Sequence, residues 1–318
     1  MRKQIILDCD PGNDDALGIL VALGHPVLDL KAVTTGAGHL AVERTAKNAA
    51  ITLAVAGRRD VPVAAGAVGP LVRERMIAKV LDMESALDAE RADLAAVDFD
   101  PSHSADLIAA KVRAGATTIV TTGPLTNLAM ALKHDPDLAG RIERIVTLGG
   151  SWGLGNKTAA AEWNILCDPE AASIVFTAGV PVTLVPIDAA VQARITNRLI
   201  ARVADIGGPV GAFAAELLQS LVKTFRPGVF GPDFMPLNDP VASIVAAVPS
   251  VGRTAPARID VELAGRFTYG RTVIDFAGRS ELPNNVDVVV SLDEPAIHDL
   301  LVASIASVAA SRPEGDDQ

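Results

Sequence analysis

An apolar run, Ile5-Ile6-Leu7, ends in four aspartates within eight residues: Asp8, Asp10, Asp14 and Asp15, interrupted by Pro11-Gly12. The run is short, continuous and rich in β-branched residues, as in a strand buried on both faces. Pro-Gly is turn chemistry. From Asp14 onward the spacing of Ala16, Leu17, Ile19, Leu20 and Leu23 is helical. The aspartates therefore fall where a parallel strand ends and the next helix begins, the edge at which open α/β sheets bind ligands. Four carboxylates this close repel one another, and a helix amino terminus offsets only part of that charge. A hard divalent cation with oxygen ligands, Ca²⁺ or Mg²⁺, offsets more.

Strand and helix patterns alternate along most of the 318 residues. Strands are expected at Leu30–Thr35, Val61–Ala64, Thr117–Thr121, Arg144–Leu148, Val182–Val185 and Asp287–Ser291, with a β-pair at Ile259–Leu263 and Arg271–Phe276. Helices are expected at about Ala41–Ala56, Ala105–Arg113, Leu128–Lys133, Asn197–Asp205, Gly211–Thr224 and Asp239–Ala247, with another starting at Asp168-Pro169-Glu170. This is the pattern of an α/β fold: a doubly wound, largely parallel open sheet flanked by helices. Residues 1–312 read as one domain, and 313–318 as a disordered acidic tail. The charged stretch from Val68 to Pro101 reads as a lid or a surface excursion.

A net charge of −10 argues against nucleic acid and anionic membranes as partners. No run approaches the roughly 18 apolar residues of a membrane span. The opening Met-Arg-Lys leads straight into a strand, so no secretory signal is expected, and two cysteines are too few for a disulfide framework. A cytoplasmic protein is expected.

With Gly123-Pro124-Leu125-Thr126-Asn127, Gly149-Gly150, Gly155-Asn156, Ala161-Glu162-Trp163-Asn164-Ile165 and Asp168-Pro169-Glu170-Ala171-Ala172 added in that order, the chain resembles the inosine-uridine-preferring nucleoside hydrolases over nearly its whole length. Asp8-Cys9-Asp10-Pro11-Gly12-Asn13-Asp14-Asp15-Ala16 matches that family's signature Asp-x-Asp-Pro-Gly-x-Asp-Asp-Ala. The resemblance implies Ca²⁺-dependent hydrolysis of a small-molecule ribonucleoside to free base and ribose, by a homodimer or homotetramer.

The resemblance also implies roles for individual residues. Asp10, Asp15, Asp239 and the backbone carbonyl of Thr126 would hold Ca²⁺. Asp10 would take a proton from a Ca²⁺-bound water. Asp14, Asn156, Glu162 and Asn164 would hold the ribose hydroxyls. Leu148, where the family usually has Met, would act through its backbone, and Trp163, where Phe is usual, would flank base or ribose. Phe225 and Phe230, in the loop before Asn238-Asp239, could stack on the base.

Three features depart from the family pattern. His39 stands where an Asn contacts ribose. Asn238 stands where a His activates the leaving base, and an amide donates a hydrogen bond but carries no proton. The family's His-Gly-x-x-Gly-Leu segment is absent between Val68 and Pro101. His39 is accordingly a candidate for the lost imidazole function or a ribose contact, and His39 and Asn238 join Asp10 as candidate catalytic residues. His25, His103, His134 and His298 read as solvated residues in helices or surface turns. The changed base end leaves three other readings: hydrolysis of a different N-riboside, ribose binding without turnover, and, from Asp8-Cys9-Asp10 alone, an aspartate-based phosphotransferase.

Overall fold

The computed structural model describes residues 2–76, 87, 99–224 and 235–312. The first strand, β1, runs Lys3–Cys9 and leads through the acidic turn into helix α1, Asn13–Gly24. Then come β2 (Leu28–Thr35), α2 (Val42–Val55), β3 (Val63–Ala65), β4 (Phe99–Asp100), α3 (Ser104–Arg113), β5 (Thr118–Thr121), α4 (Thr126–His134) and β6 (Arg144–Leu148). The second half adds α5 (Trp163–Cys167), α6 (Pro169–Phe176), β7 (Val182–Val185), α7 (Ile187–Ala190), α8 (Asn197–Ala204), α9 (Gly208–Thr224) and α10 (Asp239–Ala247). It closes with β8 (Gly252–Val261), β9 (Thr272–Asp275), β10 (Val286–Leu292) and α11 (Glu294–Ser311).

The strands form one ten-stranded sheet in the order β4-β3-β2-β1-β5-β6-β7-β10-β8-β9. Pairing is parallel from β4 across to β10, and β8 and β9 then add antiparallel. The doubly wound, largely parallel sheet expected from the sequence is thus present. From β1 the chain first winds outward through β2 and β3, then returns to β5 on β1's other side, so the acidic turn leaves the sheet at its topological switch point.

Alternation along β1 divides the core. Ile5, Leu7 and Cys9 pack with α1, α2, α9, α10 and α11, whereas Ile6 packs with α3, α4 and α6 on the opposite face. Asp8 shares the parity of Ile6 and so points toward α4.

The differences from the sequence reading have local causes. Helix α4 begins at Thr126, inside the expected turn, because Leu125 already stands at the cap position. Helix α11 is absent from the expected helices, although its start carries the same signal as Asp168: Asp293 accepts a hydrogen bond from the Ala296 N–H at 3.1 Å, with Glu294-Pro295 in the first turn. His25 is buried rather than solvated, and its Nδ1 accepts the Val27 N–H at 3.3 Å. Of the expected lid only the two ends and Leu87 are described, and residues 77–86, 88–98 and the acidic tail 313–318 lie outside the described residues.

Candidate active site

The four aspartates divide into distinct roles. Asp8, still inside β1, uses Oδ1 to accept the Thr34 hydroxyl at 2.7 Å and the Asn127 side-chain amide at 2.9 Å. Asp10, two residues further along, is buried where only glycine fits beside it: a Cβ on Gly38 would overlap its Oδ2, and one on Gly123 would come within 2.5 Å of its Oδ1. His39 donates to Asp10 Oδ2 from its backbone N–H at 2.9 Å, and its ring Nδ1 stands 3.2 Å from the same oxygen.

Asp15 is fixed by Gly12 N–H at 3.0 Å and by the Thr122 hydroxyl at 2.7 Å, one on each carboxylate oxygen. Asp14, beside it on α1, lies within hydrogen-bond reach of Asp239. Asp239 opens α10 immediately after Asn238, whose φ of 42° and ψ of −106° make it the one non-glycine residue with positive φ among the described residues. Such strain persists where surrounding contacts over-determine the backbone, commonly at functional sites.

One oxygen each from Asp14, Asp15 and Asp239 lies within 4.8 Å of the others. Oxygens bound to one Ca²⁺ at about 2.3–2.6 Å are at most about 5 Å apart, so this all-oxygen, acidic set fits a hard divalent cation. Burial, their mutual charge and that of Asp10 push Asp15 and Asp239 well above the usual carboxylate range, and burial raises Asp14. A dication among them relieves that cost. Thr126 donates its hydroxyl to Asp168 at 2.7 Å, and Asp168 also accepts N–H groups from Ala171 and Leu71.

The residues expected at the ribose follow β6. Leu148 ends that strand, and its carbonyl, with that of Thr122, accepts the Asn164 side-chain amide at 3.1 and 2.8 Å. Both amide hydrogens of Asn164 are thereby directed at backbone, leaving its Oδ1 to accept from a ligand hydroxyl. Buried Glu162 caps α5, taking Asn164 N–H on Oε1 and the Gly150 and Ile165 N–H groups on Oε2; burial raises its pKa. Asn156 is exposed and accepts the Trp163 N–H at 2.9 Å. The Trp163 ring stacks on His39 with centroids 4.2 Å apart, and Lys157 Nζ lies 4.5 Å from the centroid of the Trp163 ring. The buried Trp163 Nε1 has no hydrogen-bond partner.

The structure thus brings together Asp10, Asp14, Asp15, His39, Glu162, Trp163 and Asn164, with Asn238 and Asp239 contributed by the start of α10. Phe225 and Phe230 lie outside the described residues.

Sequence reasoning missed several supports. Asn48 donates to the Pro11 carbonyl at 2.7 Å and Thr122 holds Asp15. Arg271 reaches the carbonyls of Trp152, Gly153 and Ala160, and Asp188 accepts the N–H groups of Trp152 and Gly153; together they pin the loop that carries Asn156. Asn127 lay within a recognised motif. Arg271 and Asp188 lie far away in sequence, and nothing local marks them.

The family model described as inosine-uridine preferring nucleoside hydrolase matches residues 5–299. The pyrimidine-specific ribonucleoside hydrolase RihA of Shewanella sp. (strain MR-7) is 41% identical over 310 residues, covering 96% of this chain and 97% of that protein. Among solved structures, a purine-preferring ribonucleoside hydrolase from Gardnerella vaginalis superposes with a TM-score of 0.86 at 29% identity, covering 96% of this chain and 99% of that one. A plant nucleoside hydrolase, PpNRh1, gives a TM-score of 0.84 at 29% identity with the same coverage. The chain belongs to the inosine-uridine preferring nucleoside hydrolase family. It is a nucleoside ribohydrolase, an enzyme that hydrolyses the N-glycosidic bond of ribonucleosides.

Proposed function

We propose that this enzyme is Ca²⁺-dependent and prefers pyrimidine ribonucleosides. The supporting observation for the metal is the set of three carboxylates whose oxygens lie within 4.8 Å of one another at the switch point of the sheet. Asp15 and Asp239 of that set are the proposed ligands, joined by Asp10 and the Thr126 carbonyl, and Asp14 is proposed to take the ribose hydroxyls. A Ca²⁺ held there would supply Lewis acidity that makes a water easier to deprotonate.

The chain's own groups carry the remaining steps. His39 occupies Asp10 Oδ2, so Oδ1 accepts the proton of the attacking water. As the C1′–N bond breaks, its electron pair leaves with the base and positive charge develops on the ribose, which the surrounding carboxylates stabilise. Asn156, Glu162, Asn164 and the backbone of Leu148 orient the sugar, and the His39–Trp163 stack walls one side. Phe225 and Phe230 are proposed to stack on the base.

The base preference rests on where the chain holds its imidazole and phenol groups. A purine departs most readily when its imidazole ring is protonated. The chain has five histidines and one tyrosine. His25 and His103 accept backbone N–H groups, His298 contacts the Arg194 carbonyl, His134 lies exposed at the far end of α4, and Tyr269 donates to Glu170. The fifth, His39, faces Asp10. A pyrimidine departs through its O2 carbonyl, which a neutral donor such as the Asn238 amide can polarise. The 41% identity to RihA supports the same choice. Steady-state kcat/KM for uridine and cytidine against inosine and adenosine tests it; a purine substrate cleaved as well as uridine would refute it. A homodimer or homotetramer in the cytoplasm completes the proposal, and light scattering tests the assembly.

A further inference from the structure

Asp8 is the one aspartate of the run to which the proposed chemistry assigns no task, yet it is only 2% exposed. Strand register sets Thr34, Asp8 and Thr121 side by side on β2, β1 and β5. On the α4 face, Asp8 Oδ1 accepts both the Thr34 hydroxyl and Asn127 Nδ2. Asn127 in turn accepts the Ala67 N–H on its Oδ1 at 2.9 Å, and its amide packs against Gly36 and Gly66; a Cβ on Gly66 would overlap its Oδ1. Hydrogen bonds therefore join β2, the end of β1, the start of α4 and the loop after β3, and the Ala37 N–H, donating to the Ala67 carbonyl at 2.9 Å, adds the loop after β2. Each of those segments borders the site: Gly38 and His39 follow β2, Asp10 follows β1, and Thr126 immediately precedes Asn127.

We propose that Asp8 and Asn127 form a positioning pair that sets where Asp10 and Thr126 stand, and through them the affinity for Ca²⁺. Neither residue is among the groups proposed to hold metal or substrate. The carboxylate serves as a double acceptor on a rigid strand, and the amide carries its position to a second and a third loop. Partners of this kind outside the ligand shell typically change metal affinity by about 10- to 100-fold when removed. The inference rests on the Ca²⁺-dependent reading of the site.

Calorimetric titration of Ca²⁺ into chelator-treated full-length protein tests it, with metal-free melting temperature measured on the same samples. N127A and D8L are expected to weaken Ca²⁺ binding by about 10- to 100-fold. D8N, whose Oδ1 still accepts from Thr34 and Asn127, should restore affinity to within about threefold of the unmodified protein. Wild-type affinity in folded N127A, with only the melting temperature lowered, would overturn the proposal, because the tie would then be purely structural. T34V removes one donor from Asp8 at nearly constant shape. If D8L and N127A do not fold, T34V decides the matter: weaker binding supports the pair and unchanged binding overturns it. Failure of the unmodified protein to bind Ca²⁺ would overturn the metal reading itself, a result distinct from equal affinities.

Discussion

His39 and Asp10 meet at a single oxygen: Asp10 Oδ2 faces the His39 backbone N–H at 2.9 Å and its ring Nδ1 at 3.2 Å, while the ring stacks on Trp163. An imidazole held this way orients the carboxylate it contacts. H39A is expected to lower kcat by about 10- to 100-fold, the size of effect that loss of alignment produces, with a smaller change in KM. The loss should be equal for uridine and for a riboside carrying an activated leaving group. If it disappears with the activated substrate, His39 acts as the acid for the leaving base instead.

The carboxylate of Asp10 fits between two glycines, and a methyl group on Gly38 would occupy the position of Oδ2. G38A should therefore depress kcat by about 100-fold or more by displacing Asp10, while circular dichroism stays unchanged. Near-normal turnover in G38A would show that Asp10 does not need this position.

Burial holds Asp8 up to about 7 and raises Asp14, Asp15, Asp239 and Glu162. The unfolded Asp value is 3.8, so between about pH 4 and 7 the folded, metal-free chain binds more protons than the unfolded one. Its stability should fall as pH rises through that window. His25, lowered by burial, works in the opposite sense as one group against these five and against Asp168 and Asp188, which burial also raises. Carboxylates lowered by neighbours, such as exposed Asp60 and half-buried Asp275, lose their contribution only at more acidic pH. Added Ca²⁺ binds ionised carboxylates and should reverse the trend. Melting temperatures at about pH 5, 6 and 7.5, with chelator and with Ca²⁺, check this; metal-free stability that rises steadily with pH would contradict it.

Trp163 buries an indole N–H without a partner, a group that costs roughly 1–3 kcal/mol when unsatisfied. W163F removes the N–H and keeps a ring against His39, so substrate-free stability should stay within about 1 kcal/mol of the unmodified protein. W163A should lose about 3–5 kcal/mol. Equal losses in chemical denaturation would show that the N–H is satisfied within the protein.

Much of this arrangement is legible in the sequence because its cues are local. The strand-to-turn-to-helix run at Asp8–Asp15, the cap at Asp168 and the Asn238-Asp239 start of α10 each announce themselves within a few residues. Supports joined only by the fold are different in kind. Asn48 reaches Pro11 across 37 positions, and Arg271 reaches Gly153 across 118; no periodicity encodes such distances. The division of labour among four adjacent aspartates is equally hidden, because strand parity and packing decide which carboxylate faces α4 and which faces the cation cluster. Helix α11 is another matter: its Asp293-Glu294-Pro295 start is a local cue of the same kind as that at Asp168.

The most direct measurement is release of free ribose from uridine by the full-length protein, first with Ca²⁺, then with excess chelator, then with Ca²⁺ restored. Release that stops with chelator and returns with Ca²⁺ is expected, with D239N inactive throughout. Undiminished release in chelator by metal-stripped protein would contradict a Ca²⁺-centred active site.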